Sequence, residues 1–314
     1  MKAWQYTGTG QPLTLNDIDE PTIGPGEVAI DVQAAGLCHT DVGFIEGVLP
    51  ESLLGSVPQT LGHEVSGVVT EVGDGVSSVS LGDRVVAYMH VDGAGFGRPG
   101  GYAARCVLPE ELVVHIPGDV PFPEAAAAGD AGMTPYHAVH TTAGVRAGDR
   151  VAIIGLGGLG FNGLQVAIGL GASTVAVEPR ESVHQRALDL GAERVVTDIS
   201  ELQGENFDMV LDFAGYGTTT AGAVGAVKAG GTVVLVGVGR DQTTLPTPLL
   251  VQNEIVVRGS AGGTKEDLLG FLELVAEGKI SPVISTIRFD EIGNGLERVA
   301  SGTVEGRLVA TLAD

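Results

Sequence analysis

The sequence predicts an α/β protein in two parts: a β-rich, barrel-like part and a doubly wound parallel sheet. Three observations predict it. From Met1 to about Pro121 the chain runs in short β-type stretches broken by Gly, Pro and Asp. After Pro121 the period changes, and apolar runs of strand length alternate with helical stretches, the pattern of a parallel sheet covered on both faces. Within the second part stands Val151-Ala-Ile-Ile-Gly-Leu-Gly-Gly-Leu-Gly160, an apolar run that feeds a glycine turn.

In the first part, Glu27-Val-Ala-Ile-Asp-Val-Gln33, Val65-Ser-Gly-Val-Val-Thr-Glu-Val72, Asp83-Arg-Val-Val-Ala-Tyr88 and Leu112-Val-Val-His-Ile116 read as strands. In the second, strands are expected at 150–154, 174–178, 194–197, 207–212, 232–237 and 254–258. Helices are expected at 158–169, 182–190, 218–227 and 265–277. The tail, 282–312, again holds strand candidates around a helix at 290–300 and is expected to return to the first part. The expected division is 1–132 with 262–314 for the β-rich domain and 133–261 for the parallel-sheet domain.

The glycine turn has a specific chemistry. Gly155, Gly157 and Gly160 form G-x-G-x-x-G between a strand and a helix, with Gly158 and Leu159 inside the turn. The first glycine permits the tight turn and the second lets a pyrophosphate approach the backbone. The third allows close helix–strand packing, and the helix N-terminus supplies N–H donors and positive potential. One such motif is weak in a chain with 49 glycines. A second strand follows, however, and ends at Glu178, where a carboxylate would grip a ribose diol. Together these features predict a dinucleotide site in a Rossmann domain. Glu178 favours NAD over NADP, because it would repel a 2′-phosphate. Arg180 moderates that preference, since it could pair with the phosphate.

Composition excludes several classes. The chain of 314 residues carries a net charge of −22, which repels nucleic acid and anionic lipid. No apolar run is long enough to span a membrane, and the start lacks the apolar core of a signal peptide. A cytoplasmic protein is expected. Two cysteines, Cys38 and Cys106, cannot build a disulfide framework, and Cys106 reads as a small core residue.

Gly36-Leu-Cys-His-Thr-Asp41 and Gly62-His-Glu64 form the second informative region. On spacing alone Cys38 and His63, 25 positions apart, are ordinary residues unless rim loops bring them together. Read in order, Gly36–Asp41, Leu61-Gly-His-Glu-Val-Ser-Gly-Val-Val-Thr-Glu-Val-Gly73, Gly82-Asp-Arg-Val85 and the nucleotide fingerprint resemble the zinc-containing medium-chain alcohol dehydrogenase family. The likeness runs from Lys2 to Leu312.

That resemblance implies a GroES-like catalytic domain, with Cys38 and His63 as ligands of one catalytic zinc. The third family ligand precedes a Gly-x-Thr-x-Tyr-like segment, here Gly132-Met-Thr-Pro-Tyr136, which puts Asp130 in that place. The bland alternative for Asp130 is a turn or N-cap residue after the alanine helix. A Cys/His/Asp set leaves a fourth position open, as a catalytic zinc needs. Glu64 matches a carboxylate that swings onto the metal part of the time, and Asp41 one that fixes the tautomer of His63. Thr40 would take the alcohol proton, with exit through His39 or water because Gly43 replaces the family's relay histidine. The resemblance also implies that His39 and Arg307 contact the pyrophosphate, that Thr134 lies beside the nicotinamide, and that Val236 and Val238 meet the carboxamide. Arg307 as a surface charge remains the plain alternative. A homodimer or homotetramer is expected by analogy, paired across the sheet edge at Thr232–Gly237 and its neighbours.

Two features depart from the pattern. Tyr88–Gly100 stands where most zinc-containing members carry a four-cysteine structural-zinc lobe, and it holds no cysteine, so no structural zinc is expected. That shortening also resembles the zinc-independent quinone and enone reductases of the superfamily, which keeps that reading open beside a catalytically silent nucleotide-binding protein. The expected activity is reversible hydride transfer between a primary or secondary alcohol and NAD. Leu37, Phe44, Leu49, Tyr88 and Met89 are candidates for an apolar substrate pocket.

Overall fold

A computed structural model describes residues 1–312 as two units, one of Met1–Asp130 with the segment from Ile284 onward, the other of Ala131–Val283. The domain bound expected at 262 falls instead at 284, close to the start of the tail expected to return at 282, and the reason is the helix Lys265–Ala276. Its Phe271 ring would lie 2.4 Å from a Cβ at Gly132, and Tyr136 comes as close to Gly270 as a bare glycine allows. Thr264 and Asp267 form its capping box, and Asp267 also takes hydrogen bonds from Thr141 Oγ1 and His137 Nδ1, each at 2.7 Å. Those partners all belong to the second unit.

The first unit is built on Glu27–Leu37. One edge of this long strand pairs antiparallel with Glu64–Val72; the other is shared between Arg105–Pro109 near its start and Arg307–Thr311 near its end. The 7-stranded sheet continues from Glu64–Val72 through Arg84–Ala87 to Val113–His115, and on the far side ends at Ile284–Arg288. A 3-stranded sheet of Thr14–Asp17, Lys2–Tyr6 and Gln59–Thr60 lies apart from it. Alternate residues of these strands fill one core with Tyr6, Ile30, Leu61, Tyr102 and Leu108. The tail helix Ile292–Ala300 buries Ile292, Leu296 and Val299, an i, i+4, i+7 stripe, in the same core. Ala126 and Ala127 of the alanine helix Phe122–Ala127 pack against Ala34 and Val309, where small side chains let the helix sit close to the sheet.

The second unit is a 6-stranded parallel sheet. Its order is Arg194–Val196, Ser173–Val177, Arg150–Ile154, Phe207–Asp212, Val227–Leu235 and Val256–Gly259. Val151 to Ile154 are at most 2% exposed, as expected of a parallel strand covered on both faces. The strand order reverses between Arg150–Ile154 and Phe207–Asp212, the switch point at which such sheets bind ligands. Thr232–Gly237, expected to be a sheet edge, is interior: Val227–Leu235 pairs on both sides, and Val256–Gly259 forms the edge. No helix among the described residues is long and apolar enough to cross a membrane.

Candidate metal centre and nucleotide site

Cys38 is placed by a helix rather than a loop. It is the N-cap of His39–Glu46, its Sγ accepting from the Thr40 N–H while Asp41 Oδ2 takes the Cys38 N–H at 3.1 Å, a reciprocal capping box. The helix closes at Gly47, whose φ of 75° suits a residue without Cβ. His63 lies on the turn between Gln59–Thr60 and Glu64–Val72. Gly62 before it has φ of 92°, and any Cβ there would meet the Tyr102 ring at 2.5 Å. The Gly-His-Glu segment therefore needs its glycine for two independent reasons.

Asp130 arrives from a third direction, inside the π-helical turn Ala128–Gly132 that follows the alanine helix. It is not a cap, so the N-cap alternative falls: its carboxylate faces the other two residues. Oδ2 lies 3.3 Å from Cys38 Sγ and 3.7 Å from His63 Nε2. One ligand atom from each of Cys38, His63 and Asp130 lies within 4.8 Å of the others, and all three residues are buried.

The surroundings fit a divalent cation. Both ring nitrogens of His63 are buried without a hydrogen-bond partner, so Nε2 is an orphan aimed at the trio. Nδ1 sits 3.5 Å from Asp41 Oδ1, the outer carboxylate that would fix the tautomer. Asp41 is itself held by the Tyr102 hydroxyl at 2.8 Å and the Gly62 N–H at 3.4 Å. Burial opposes charge on His63, but the Asp41 carboxylate and contacts with Asp130, Asp41 and Cys38 override it and push its pKa well above the ordinary range. Cys38, Asp41, Glu64 and Asp130 can all carry negative charge here, whereas Arg307 is the fixed cation among them. A dication beside a thiolate, an imidazole and a carboxylate balances that excess.

Two site candidates have partners that the sequence does not predict. Glu64 stands outside the trio. Its Oε1 lies 3.2 Å from Arg307 Nε, and it packs so tightly beneath Gly36 that a Cβ there would fall 1.7 Å from Oε2. Arg307 is not the surface charge of the plain alternative. It is 6% exposed, with Nη2 at 3.2 Å from Asp130 Oδ2 and Nη1 donating to Leu37 O. Burial disfavours its charge, but Cys38, Glu64 and Asp130 more than compensate. Thr40 Oγ1 lies 3.6 Å from Cys38 Sγ, beside the centre. His39 is exposed, yet desolvation of its ring together with Arg307 lowers its pKa. Of the pocket candidates, Leu37 and Phe44 are sealed in the core, and Leu49 and Met89 pack against it.

The second unit assembles the nucleotide loop. Gly155 has φ of 85°, and a Cβ on Gly160 would stand 1.7 Å from Gly155 O, so both must be glycine. At Gly157 a Cβ would meet nothing, the open cradle a phosphate requires. Gly157 starts the helix Gly158–Gly169 with no side-chain cap on its first turn. Glu178 Oε2 accepts from the Leu156 N–H at 2.8 Å, and Oε1 accepts from the Arg180 N–H and Nε. Burial opposes ionisation of Glu178, yet the Arg180 and backbone donors leave its pKa below the ordinary value. Thr134 is 5% exposed on the short helix Met133–Tyr136, and Val238 is 84% exposed beyond the carboxyl end of Val227–Leu235. Val236 donates its N–H to Asp212 O, which ties that strand end to its neighbour.

Comparison with known proteins agrees with this geometry. Residues 24–118 match the alcohol dehydrogenase GroES-like domain and residues 158–277 the zinc-binding dehydrogenase domain. An alcohol dehydrogenase of Geobacillus stearothermophilus is 32% identical over 341 aligned positions, covering 100% of both chains. The chain belongs to the zinc-type medium-chain alcohol dehydrogenase family. Within the family, an NADP-dependent alcohol dehydrogenase C of Mycolicibacterium smegmatis is 31% identical, covering 100% of this chain and 98% of its own. Acetophenone reductase from Geotrichum candidum, solved in complex with NAD, superposes with a TM-score of 0.90 at 31% identity, covering 99% of this chain and 97% of that one. Family membership establishes alcohol oxidoreduction on a GroES-like and a Rossmann domain.

Proposed function

We propose that this chain is a zinc-dependent dehydrogenase that interconverts a primary or secondary alcohol with its aldehyde or ketone, using NAD. The observation that carries the reading is the meeting of Cys38, His63 and Asp130 within 4.8 Å around an orphaned His63 Nε2. When bound, zinc would act as a Lewis acid that lowers the pKa of the alcohol or polarises the carbonyl, and NAD would accept the hydride.

The chain's own residues do the rest. Cys38, His63 and Asp130 supply a soft, a borderline and a hard donor and leave one position open. Asp41 Oδ1 faces His63 Nδ1 at 3.5 Å and would set its tautomer, without fixing the ring. Thr40 Oγ1 takes the proton from the alcohol hydroxyl and passes it on by its own O–H, with His39 or water carrying it outward. Glu64 keeps Arg307 in place and joins the metal only if that pair opens. In the nucleotide unit, Gly155, Gly157, Gly158, Leu159 and Gly160 cradle the pyrophosphate, and Arg307 would reach it only by leaving Asp130. Glu178 accepts the ribose hydroxyls; Arg180, spent on Glu178, is not poised for a 2′-phosphate. Thr134 is assigned to the nicotinamide and Val236 and Val238 to its carboxamide. One zinc per chain is expected, because Tyr88–Gly100 has no cysteine for a structural ion. Assembly is assigned to a homodimer or homotetramer through the edge strand Val256–Gly259, where Val256 and Val257 are each 38% exposed.

The test is turnover of NADH and NADPH with an aldehyde and ketone panel, for the native protein and Asp130→Ala. The reading expects NADH to be preferred and Asp130→Ala to lose carbonyl reduction with its zinc. Full activity of Asp130→Ala on activated alkenes would assign the chain to zinc-independent reduction instead.

A further inference from the structure

The segment that stands in place of the missing lobe is not an idle connection. Residues 95–102, its end and the two residues after it, wrap the turn that carries His63. Gly100 N–H donates to Thr60 O, Gly101 N–H to Gly62 O and Tyr102 N–H to Leu61 O, at 2.8–3.0 Å. The backbones approach so closely that a Cβ at Gly95 would lie 3.0 Å from the His63 nitrogen, and one at Gly100 would lie 2.2 Å from Gly62 O. At the centre of this wrap is Phe96. Its ring centroid is 5.3 Å from that of His63 at a tilt of 46°, and its other neighbour is Phe44, edge-on at 5.8 Å. Its carbonyl is pinned by the Gly55 N–H at 2.9 Å and by Gln59 Nε2 at 2.8 Å. Phe96 is therefore anchored by its carbonyl, with its ring packed against those of His63 and Phe44.

His63 needs such a support. Its Nδ1 contact with Asp41 is 3.5 Å long, and neither ring nitrogen makes a hydrogen bond that would stop the imidazole turning about its Cβ–Cγ bond. A ring turned by tens of degrees would carry Nε2 away from Cys38 and Asp130. We propose that Phe96 is a positioning residue for the metal centre: its ring blocks rotation of the His63 imidazole and holds Nε2 toward Cys38 and Asp130. Phe96 touches neither cofactor nor reacting atoms on this reading and acts through His63 alone. The inference rests on the zinc reading above.

The test measures zinc affinity by competition with a chromophoric chelator, together with the visible spectrum of the cobalt-loaded protein. Four chains are compared: native, Phe96→Ala, Phe96→Leu and Phe96→Tyr. Phe96→Ala is expected to bind zinc about 10- to 100-fold more weakly, the usual cost of losing an outer partner of a metal ligand, and to shift the cobalt bands. Phe96→Leu keeps an apolar side chain but no flat face, and should fold as the native chain while binding zinc more weakly. Phe96→Tyr keeps the ring and should restore both readouts. Native affinity and an unchanged cobalt spectrum in Phe96→Leu would overturn the proposal, even if Phe96→Ala does not fold. Failure of the native chain to bind zinc would overturn the metal reading itself, a separate result.

Discussion

Arg307 Nη2 lies 3.2 Å from Asp130 Oδ2, so a buried guanidinium and the carboxylate proposed as a metal ligand are partners across 177 positions of sequence. The same guanidinium faces Glu64, and it adds positive charge to this acidic pocket whether or not a metal is bound. Removing one partner of a buried ionic cluster costs about 3–5 kcal/mol, because the remaining charges are left uncompensated. Arg307→Met should unfold at a markedly lower temperature than the native chain without metal, and saturating zinc should recover much of the difference. Calorimetry with and without chelator reads this directly. An equal loss in both conditions would mean that guanidinium and metal do not share the same negative charge.

Glu178 is held by four donors beside the glycine turn, so its loss should affect the nucleotide and leave the metal alone. A hydrogen bond to a charged group contributes about 1.5–3 kcal/mol, which is roughly tenfold to a hundredfold in Kd. Glu178→Ala is expected to weaken NAD binding by that factor and to narrow the gap between NAD and NADP, since Arg180 is then released. Calorimetric titration of both nucleotides checks it; a preserved NAD preference would remove Glu178 as the discriminating group.

Gly160→Ala places a methyl 1.7 Å from Gly155 O, a distance no relaxation of a flexible side chain can relieve. NAD binding should be lost and the melting temperature lowered, while zinc content stays at the native value. Retained NAD affinity would show that the helix N-terminus is not the phosphate cradle.

Asp267 carries a pH dependence that belongs to the second unit. Burial alone would raise its pKa, but the Thr141 hydroxyl, the Thr264 N–H and His137 outweigh it and leave the carboxyl below the usual aspartate range. A group whose folded pKa is depressed stabilises the fold above its unfolded pKa and loses that contribution as the pH falls through the folded value. The unfolded aspartate titrates near about 3.9. Asp267→Asn should therefore be less stable than the native chain at pH 7, and the difference should shrink below about pH 4. Urea unfolding at several pH values measures it, and a pH-independent difference would assign the loss to packing.

Local information carries much of this architecture. The strand Arg150–Ile154, the turn to Gly158 and the acid at Glu178 are readable because positive φ, close approach and two-sided burial each demand particular residue types within a short span. The tail strands and helix are readable for the same reason, through the stripe of Ile292, Leu296 and Val299. The helix behind Cys38 is not legible, since cysteine is not a usual N-cap and its box is completed by Asp41. Nor is the placement of Lys265–Ala276, which depends on packing against residues more than 120 positions earlier. The inward turn of Arg307, the withdrawal of Glu64 onto it, the grip of Tyr102 on Asp41 and the Phe96–His63 stack are all long-range side-chain relations. No periodicity or spacing encodes them.

The proposed chemistry depends on one metal ion held by Cys38, His63 and Asp130. Elemental analysis of the purified native chain before and after dialysis against a chelator, with alcohol oxidation assayed on the same samples, tests that dependence. One zinc per chain, removed together with activity and restored with it, is the expected outcome. Activity that persists in metal-free protein would be incompatible with it.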